Sequence, residues 1–362
     1  MKSVLFLLVF ILCPILMAQQ VTGVIVDDNS EPLSQATVYY DGSTVGTLSK
    51  KEGSFNIDYN PQLNLTLVVR YLGYKTYYLD NPKPGEDYKI TLKPEENRLD
   101  EVVLDASLFS REEMLEAFKR DFLGKTKAGR KAIIQNEEAI KFFYDKNEKS
   151  LYASSRQPIQ ILNKELGYKV EFDLVDFVSE FSKVTLDSDY QKTNYFGGTS
   201  FFQNSAEETR RTKRRRLKAY YGSSMHFFNS LCDGDLKRQQ YQLFHKSELV
   251  NASDVFEVKK VKRKVRISGS LEVQTYEDSY LVTLVGNDLD VLNKNNSSTG
   301  DKFRKSIALL YKGDRSDIIF KTKEFYVDNF GNHTNINEIL FDGEMSIGRM
   351  GGMLPVNYQP ND

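Results

Sequence analysis

The sequence predicts a mainly β protein: a small all-β sandwich followed by an α+β domain with an antiparallel sheet and one or two helices. Three observations predict it. Through residues 21–104, short apolar runs alternate with turn residues about every eight to twelve positions, the rhythm of sandwich strands. After Ala132 the alternation returns. In residues 167–181, Val170, Phe172 and Leu174 trade places with Glu171 and Asp173, as in an antiparallel strand with one wet face. Helical spacing is confined to residues near 110–124 and 207–231, so the regular β–α alternation that a parallel sheet needs is missing.

Residues 1–18 read as a targeting segment, with Lys2 at its start, an apolar core over residues 4–17, and Ala18 before Gln19 as a cleavage point. Cys13 has Leu12 before it, where lipoprotein processing wants a small residue, and Pro14 after it, so lipid attachment is not expected. No later apolar run reaches the ~18 residues of a membrane helix, so no transmembrane segment is expected in the mature chain. Removing the signal leaves Cys232 as the single cysteine, too few for an intramolecular disulfide. The expected plan is a signal over 1–18, the sandwich over 20–105 and the α+β domain over 106–362.

Within the sandwich, residues 21–26 are rich in β-branched side chains, and residues 27–32 break the strand with Asx-type turn residues and a proline. Ala36, Val38 and Tyr40 share one face of the next strand, and Asp41-Gly42 is a tight-turn dipeptide. Phe55 and Ile57 share a face of the strand after Glu52-Gly53. Residues 64–71 form a Leu/Val-rich strand, 75–79 another, and the prolines within 81–85 make a loop. The pieces TGVIVDDNSEPLSQATV, TVGTLSKKEGSFNI, VVRYLGYKT and LDEVVL together resemble the carboxypeptidase-regulatory-like, or transthyretin-like, domain of exported proteins of Bacteroidetes-type bacteria. That resemblance implies an accessory domain, not a catalytic one. The family's acidic turn is replaced here by Ser49-Lys50-Lys51, which removes the carboxylates of a calcium loop. The domain also resembles the extension before the plug of nutrient-uptake receptors. The residues after 105 are too few for a ~22-strand barrel of ~10-residue strands with a plug.

Residues 99–104 read as a last strand. Ser110 with Glu113 then forms a capping box, Met114, Phe118 and Phe122 mark one helix face, and Gly124 ends the helix. Strands are expected over 139–144 and 151–154 as a hairpin and over 167–181, with 195–198 as an aromatic loop. Residues 207–231 are read as a single helix, whose Arg210–Lys218 run holds seven basic residues in nine. The phosphate-binding reading of that run is set against a solvated face whose arginines pair with sheet carboxylates, and the second is preferred. Gly222 is placed inside this helix. Residues 241–250 read as a helix end running into a strand. Strands follow over 255–267, 279–285, 306–311, 317–326 and 336–341, with a polar loop at 293–300 and a hairpin turn at 328–332 between the last two strands.

Two constellations carry possible chemistry. Arg216, Tyr220, Ser223 and His226 follow one another at helical spacings, so a Ser–His pair is conceivable. No strand–turn–helix elbow presents the serine, so these side chains are expected to tie the helix to the sheet. His245 and Glu248 match an H-x-x-E metal pattern, with His333 as a third ligand. The absent β–α alternation argues against the zinc peptidase this would imply, so no catalytic or metal residues are assigned. Residues 216–227 and 348–358 also resemble blocks of exported proteins from the same bacteria that carry the sandwich first, and this resemblance implies no activity. With 49 Lys and Arg against 50 Asp and Glu, the net charge of −1 supplies no global field toward nucleic acid. The expected function is a non-enzymatic binding or assembly protein of the periplasm, outer membrane or cell surface. It needs no cofactor, and its partner is an envelope protein or an extracellular ligand. The alternative is a hydrolase of the zinc or serine type, with the sandwich as accessory.

Overall fold

The protein is described by a computed structural model over residues 20–60, 63, 65–95, 108–205, 207–266, 274–285 and 305–360, with backbone alone for 263–266 and 274–277. The targeting segment, the strand expected at 99–104 and the polar loop at 293–300 lie outside the described residues.

Strands β1 (Gln20–Val26), β2 (Thr37–Tyr40), β3 (Gly46–Leu48), β4 (Ser54–Asp58), β5 (Thr66–Arg70), β6 (Tyr77–Asp80) and β7 (Asp87–Thr91) form the sandwich. Its sheets run β4-β1-β7 and β3-β2-β5-β6, with β1 antiparallel to β4 and parallel to β7. Val38 and Tyr40 of β2, Phe55 and Ile57 of β4, and Leu67 and Val69 of β5 point into the core, as their two-residue period requires. Tyr39 and Val68 point the opposite way, yet they too are fully buried, against Phe201. Both faces of β2 and β5 are therefore covered, which explains their unbroken apolar runs.

Helix α1 (Arg111–Leu123) opens with Ser110, whose hydroxyl accepts from Glu113 N–H while the Glu113 carboxylate accepts from Ser110 N–H. After the short α2 (Lys127–Lys131) come β8 (Ile133–Ile134), β9 (Ile140–Asp145), β10 (Ser150–Ser155), β11 (Ile159–Asn163), β12 (Tyr168–Phe181) and β13 (Gln191–Asn204). Strand β13 pairs along the length of β12, and β11 and β10 divide the other edge of β12 between them. Phe118 and Phe122 of α1 pack on Phe177 and Phe172 of β12, with ring centroids 4.7 and 5.2 Å apart. Residues 195–198 are not a loop. They lie inside β13, where Gly197 and Gly198 stand opposite the bulge at Leu174/Asp176 and Phe196 stacks edge-on to Phe122.

The single helix expected over 207–231 is two helices, α3 (Arg210–Tyr220) and α4 (Ser224–Cys232). Gly222 lies between them at φ +89°, a left-handed conformation open to glycine, and Ser223 restarts the chain as an N-cap by accepting from His226 N–H. Tyr220 of α3 packs into the core of α1 and β9–β13, whereas Phe227, Phe228 and Leu231 of α4 enter another core.

That second core is built from β14 (Tyr241–His245), β15 (Glu248–Val250), β16 (Phe256–Arg266), β17 (Gln274–Leu284), β18 (Lys305–Tyr311), β19 (Asp314–Phe320), β20 (Glu324–Val327) and β21 (Ile339–Gly343). The sheets are β15-β14-β18-β19-β21 and β16-β17-β20. Residues 241–250 are a hairpin rather than a helix end. The strand expected over 317–326 is divided between β19 and β20, which belong to different sheets, and the turn at 328–332 closes only an isolated bridge between Val327 and His333.

Beyond β21 the chain returns to the first core. Helix α5 (Arg349–Gly352) brings Met350 and, just after it, Leu354 into that core. Asn163 Nδ2 donates to Gly351 O at 2.7 Å. A Cβ on Gly351 would stand 2.4 Å from Gly129 Cα, so this crossing of two backbones requires glycine. Val356 N–H then donates to Gly42 O at 2.8 Å, and Asn357 Nδ2 to Thr44 Oγ1 at 2.8 Å. The sandwich is also held by β12 and β13. Tyr39 stacks on Phe201 with centroids 5.1 Å apart and donates to Asp173, and Arg70 pairs with Glu171 and Asp173. Gly42 N–H donates to Ser200 O at 2.7 Å and Phe202 N–H to Ser43 O at 2.9 Å.

Candidate functional site

Where α3 gives way to α4, a cleft of about 1270 Å³ opens. Its walls come from α2 and α3, the α3–α4 joint, the β18–β19 turn, the 328–336 segment and the tail around α5. Residues 216–227 and 348–358, two separate blocks of the sequence, thus contribute to one concavity. Leu217, Met225, Ile347, Leu354 and Val356 give it an apolar lining, and Tyr221 and Tyr311 add aromatic faces. Lys125, Lys127 and Arg130 come from the α2 region, Arg214, Arg215 and Lys218 from α3, Lys312 from the β18–β19 turn and Arg349 from α5.

Several acids of this wall are already engaged. Glu165 pairs with Lys131 at 3.0 Å and with Arg215 at 2.9 Å, and these cations hold it below the usual carboxylate range against the opposing effect of burial. Asp328 accepts from Asn332 Nδ2 and from Phe330 and Asn332 N–H, and burial pushes it up to about 6. Asp41 accepts from Ser200 N–H at 2.8 Å and is likewise pushed up to about 6 by burial.

Arg216, Tyr220, Ser223 and His226 are not one site. Arg216 is buried and turned to the sheet: Nε donates to Leu166 O at 2.8 Å, Nη1 to Glu208 at 2.7 Å and Nη2 to Asn204 at 3.0 Å, and its guanidinium lies 3.9 Å from the Tyr168 ring centre. Tyr220, Ser223 and His226 do meet at the joint. The Ser223 hydroxyl is spent on the backbone N–H of His226, not on its ring. The ring accepts from Gly222 N–H (3.1 Å) and Tyr241 hydroxyl (2.9 Å) at Nδ1, which leaves Nε2–H to donate to Gln239 Oε1 at 3.2 Å. Burial keeps this imidazole neutral by lowering its pKa. The Tyr220 hydroxyl accepts from Asn229 Nδ2 at 3.0 Å. The group is a structural knot under the joint, and it has no free base beside a free nucleophile.

His245 and Glu248 face each other across a two-residue turn whose central residues, Lys246 and Ser247, have φ of +49° and +69°. His333 instead packs among Phe228, Phe325 and Phe341, with Nδ1 against Thr334 O at 2.8 Å. Burial lowers its pKa. Among the described residues no three His, Cys, Asp or Glu side chains are grouped to hold a metal ion, and no described helix is long and apolar enough to cross a membrane.

Residue-by-residue reading missed Arg349, Lys125, Lys312 and Tyr311, which line the cleft. The signal for Arg349 was a cation between glycines in Gly348-Arg349-Met350-Gly351-Gly352. The other three carry no local pattern, because long-range packing brings them to the cleft.

Residues 21–104 match the family model of the CarboxypepD_reg-like domain, which spans the whole sandwich. No curated protein matches the chain. The N-terminal part is thus a carboxypeptidase-regulatory-like β-sandwich, an accessory type of domain, joined to α+β structure.

Proposed function

We propose that the chain is an exported, non-enzymatic binding protein of the cell envelope, with the sandwich as a fixed accessory and the cleft at the α3–α4 joint as the place where a ligand sits. One observation carries this reading: the cleft of about 1270 Å³ is lined by aromatic, apolar and cationic side chains, while Ser223 and His226 are engaged in a helix cap and a neutral hydrogen-bond network. The hydrolase alternative needs a nucleophile within reach of an unengaged base, and His226 has both ring nitrogens occupied. Export is supported by the Lys2 start, the apolar core over 4–17 and the Ala18-Gln19 step.

The test is a photo-crosslinking residue placed at Lys218, which opens into the cleft, or at Lys259, which is exposed on β16 away from it. Envelope extracts are then irradiated with each variant. A discrete adduct at position 218 and none at 259 is the expected result, and equal labelling at both positions sinks the reading. Intact-mass measurement of the native protein checks export, with Gln19 expected at its N-terminus.

A further inference from the structure

Two kinds of unsatisfied side chain share the cleft. The first is cationic. Arg349 is partly buried, yet makes no hydrogen bond or ion pair among the described residues. The carboxylates whose field it feels are Asp121, already held by Arg120 and Ser179, and Asp342. Its backbone sits at φ +42°, a left-handed conformation uncommon for a long side chain. Lys125 stands next to it: Lys125 N–H donates to Ile347 O, and Arg349 Cβ lies 2.9 Å from where a Cβ on Gly124 would be. Lys218 opens into the same space with no ion pair to a described residue.

The second kind is apolar. Ile336, Tyr221 and Met353 are 71%, 46% and 43% exposed, and all three line this cleft. Large apolar side chains left wet around one concavity mark a surface that a ligand covers. The volume exceeds the ~300–1,000 Å³ typical of drug-sized ligands, so a head group does not fill it. Asp314 and Glu344 stand on the same walls and would repel a polyanion, which favours a single anionic head.

We propose that the cleft binds an anionic amphiphile: a phosphate or carboxylate head held by Arg349, Lys125 and Lys218, with an acyl chain laid against Tyr221, Ile336 and Met353. This rests on the binding reading above and names the chemistry of its ligand. An arginine fork suits a head with two acceptor oxygens, and the exposed apolar trio gives the chain a surface to dehydrate.

Calorimetric titration of the full mature chain tests it. The probes are a single-chain lysophosphatidic acid below its micelle concentration, inorganic phosphate, and the monoacylglycerol of the same chain length. The lysophosphatidic acid is expected to bind at one per chain and at least ~10-fold tighter than either other probe. Arg349→Gln is expected to weaken it by ~10-fold or more, and the uncharged Ile336→Asn to weaken it without touching the cations. Lys218→Gln, on the exposed side of α3, serves as a second head-group variant if Arg349→Gln melts early. Equal binding of the monoacylglycerol overturns the anionic head, and equal binding of inorganic phosphate overturns the chain. No binding of any probe overturns the ligand class, while a discrete adduct at position 218 still upholds the binding reading.

Discussion

Asp41 joins the sandwich to β13 through one carboxylate, which accepts from Ser200 N–H and is pushed up to about 6 by burial. A carboxyl whose folded pKa lies above its unfolded value of 3.8 takes up a proton on folding between those two values. Its contribution to stability is therefore greatest below about pH 4 and is lost as pH rises through 6. Asparagine keeps the accepting oxygen but cannot titrate. Asp41→Asn is expected to be more stable than wild type at pH 7.5, and the difference to shrink as pH falls toward 4. Thermal melts across that range check it, and a gap that widens toward acid would contradict the assignment. At Gly222 the constraint is backbone and space together: φ is +89°, and a Cβ would come 3.0 Å from Tyr311 Cδ1. Gly222→Leu should destabilise by ~1–3 kcal/mol or more in denaturant melts, from strain and overpacking.

Helix α3 shows how one basic run serves two ends. Arg216 and Tyr220 are four apart, and both are buried, whereas Arg210, Arg211 and Arg214 face water. Arg216→Ala takes the donor from Leu166 O and Asn204, leaves Glu208 with Lys213 alone and uncovers the Tyr168 ring, which should cost on the order of 3 kcal/mol. Arg214→Ala should stay within ~0.5 kcal/mol, as for most surface changes. Chemical denaturation of the pair decides it, and equal effects would mean that Arg216 is not structural. At this scale the sequence was legible where local chemistry is explicit, as in the Ser110–Glu113 box and the alternation of β12. It misled where a turn used residues that rarely adopt positive φ. Lys246 and Ser247 form a hairpin turn usually made by Asn-Gly, so His245 and Glu248 passed for ligand spacing when they are cross-strand neighbours. The break at Gly222 was written as Gly-Ser, a stop followed by a cap, but strong helical spacing on both sides hid it.

In the whole molecule, Arg70 holds the sandwich to β12 between Glu171 and Asp173, all three side chains being largely withdrawn from water. Arg70→Ala leaves two carboxylates facing each other without a cation. The expected loss is ~2–3 kcal/mol of coupling, read in calorimetry as one melting transition splitting into two. A single unshifted transition would show that Tyr39, Phe201 and the backbone bonds suffice. The sandwich was legible at β1, β2, β4, β5 and β6 because its turns carry their own residues, whereas β3 and β7, the second paired with β1 65 positions away, were not read. The cleft was not, because its walls are drawn from α2, α3, β18 and α5, and no local period records that meeting.

The return of the tail sets a timetable. Asn163 waits for Gly351, 188 positions later, and Thr44 for Asn357, 313 positions later. A ribosome makes residues 349–357 after every strand described here has been translated. Until then the sheet around β12 lacks Met350 and Leu354, and the nascent chain presents an apolar side with no cover. Contacts this distant slow folding steeply, while the loop entropy they close grows only with the logarithm of length. The sandwich's inner core, complete at Leu92, and the second core, complete at Ile339, can close before the tail is made, whereas the core around β12 closes only when Met350 and Leu354 arrive.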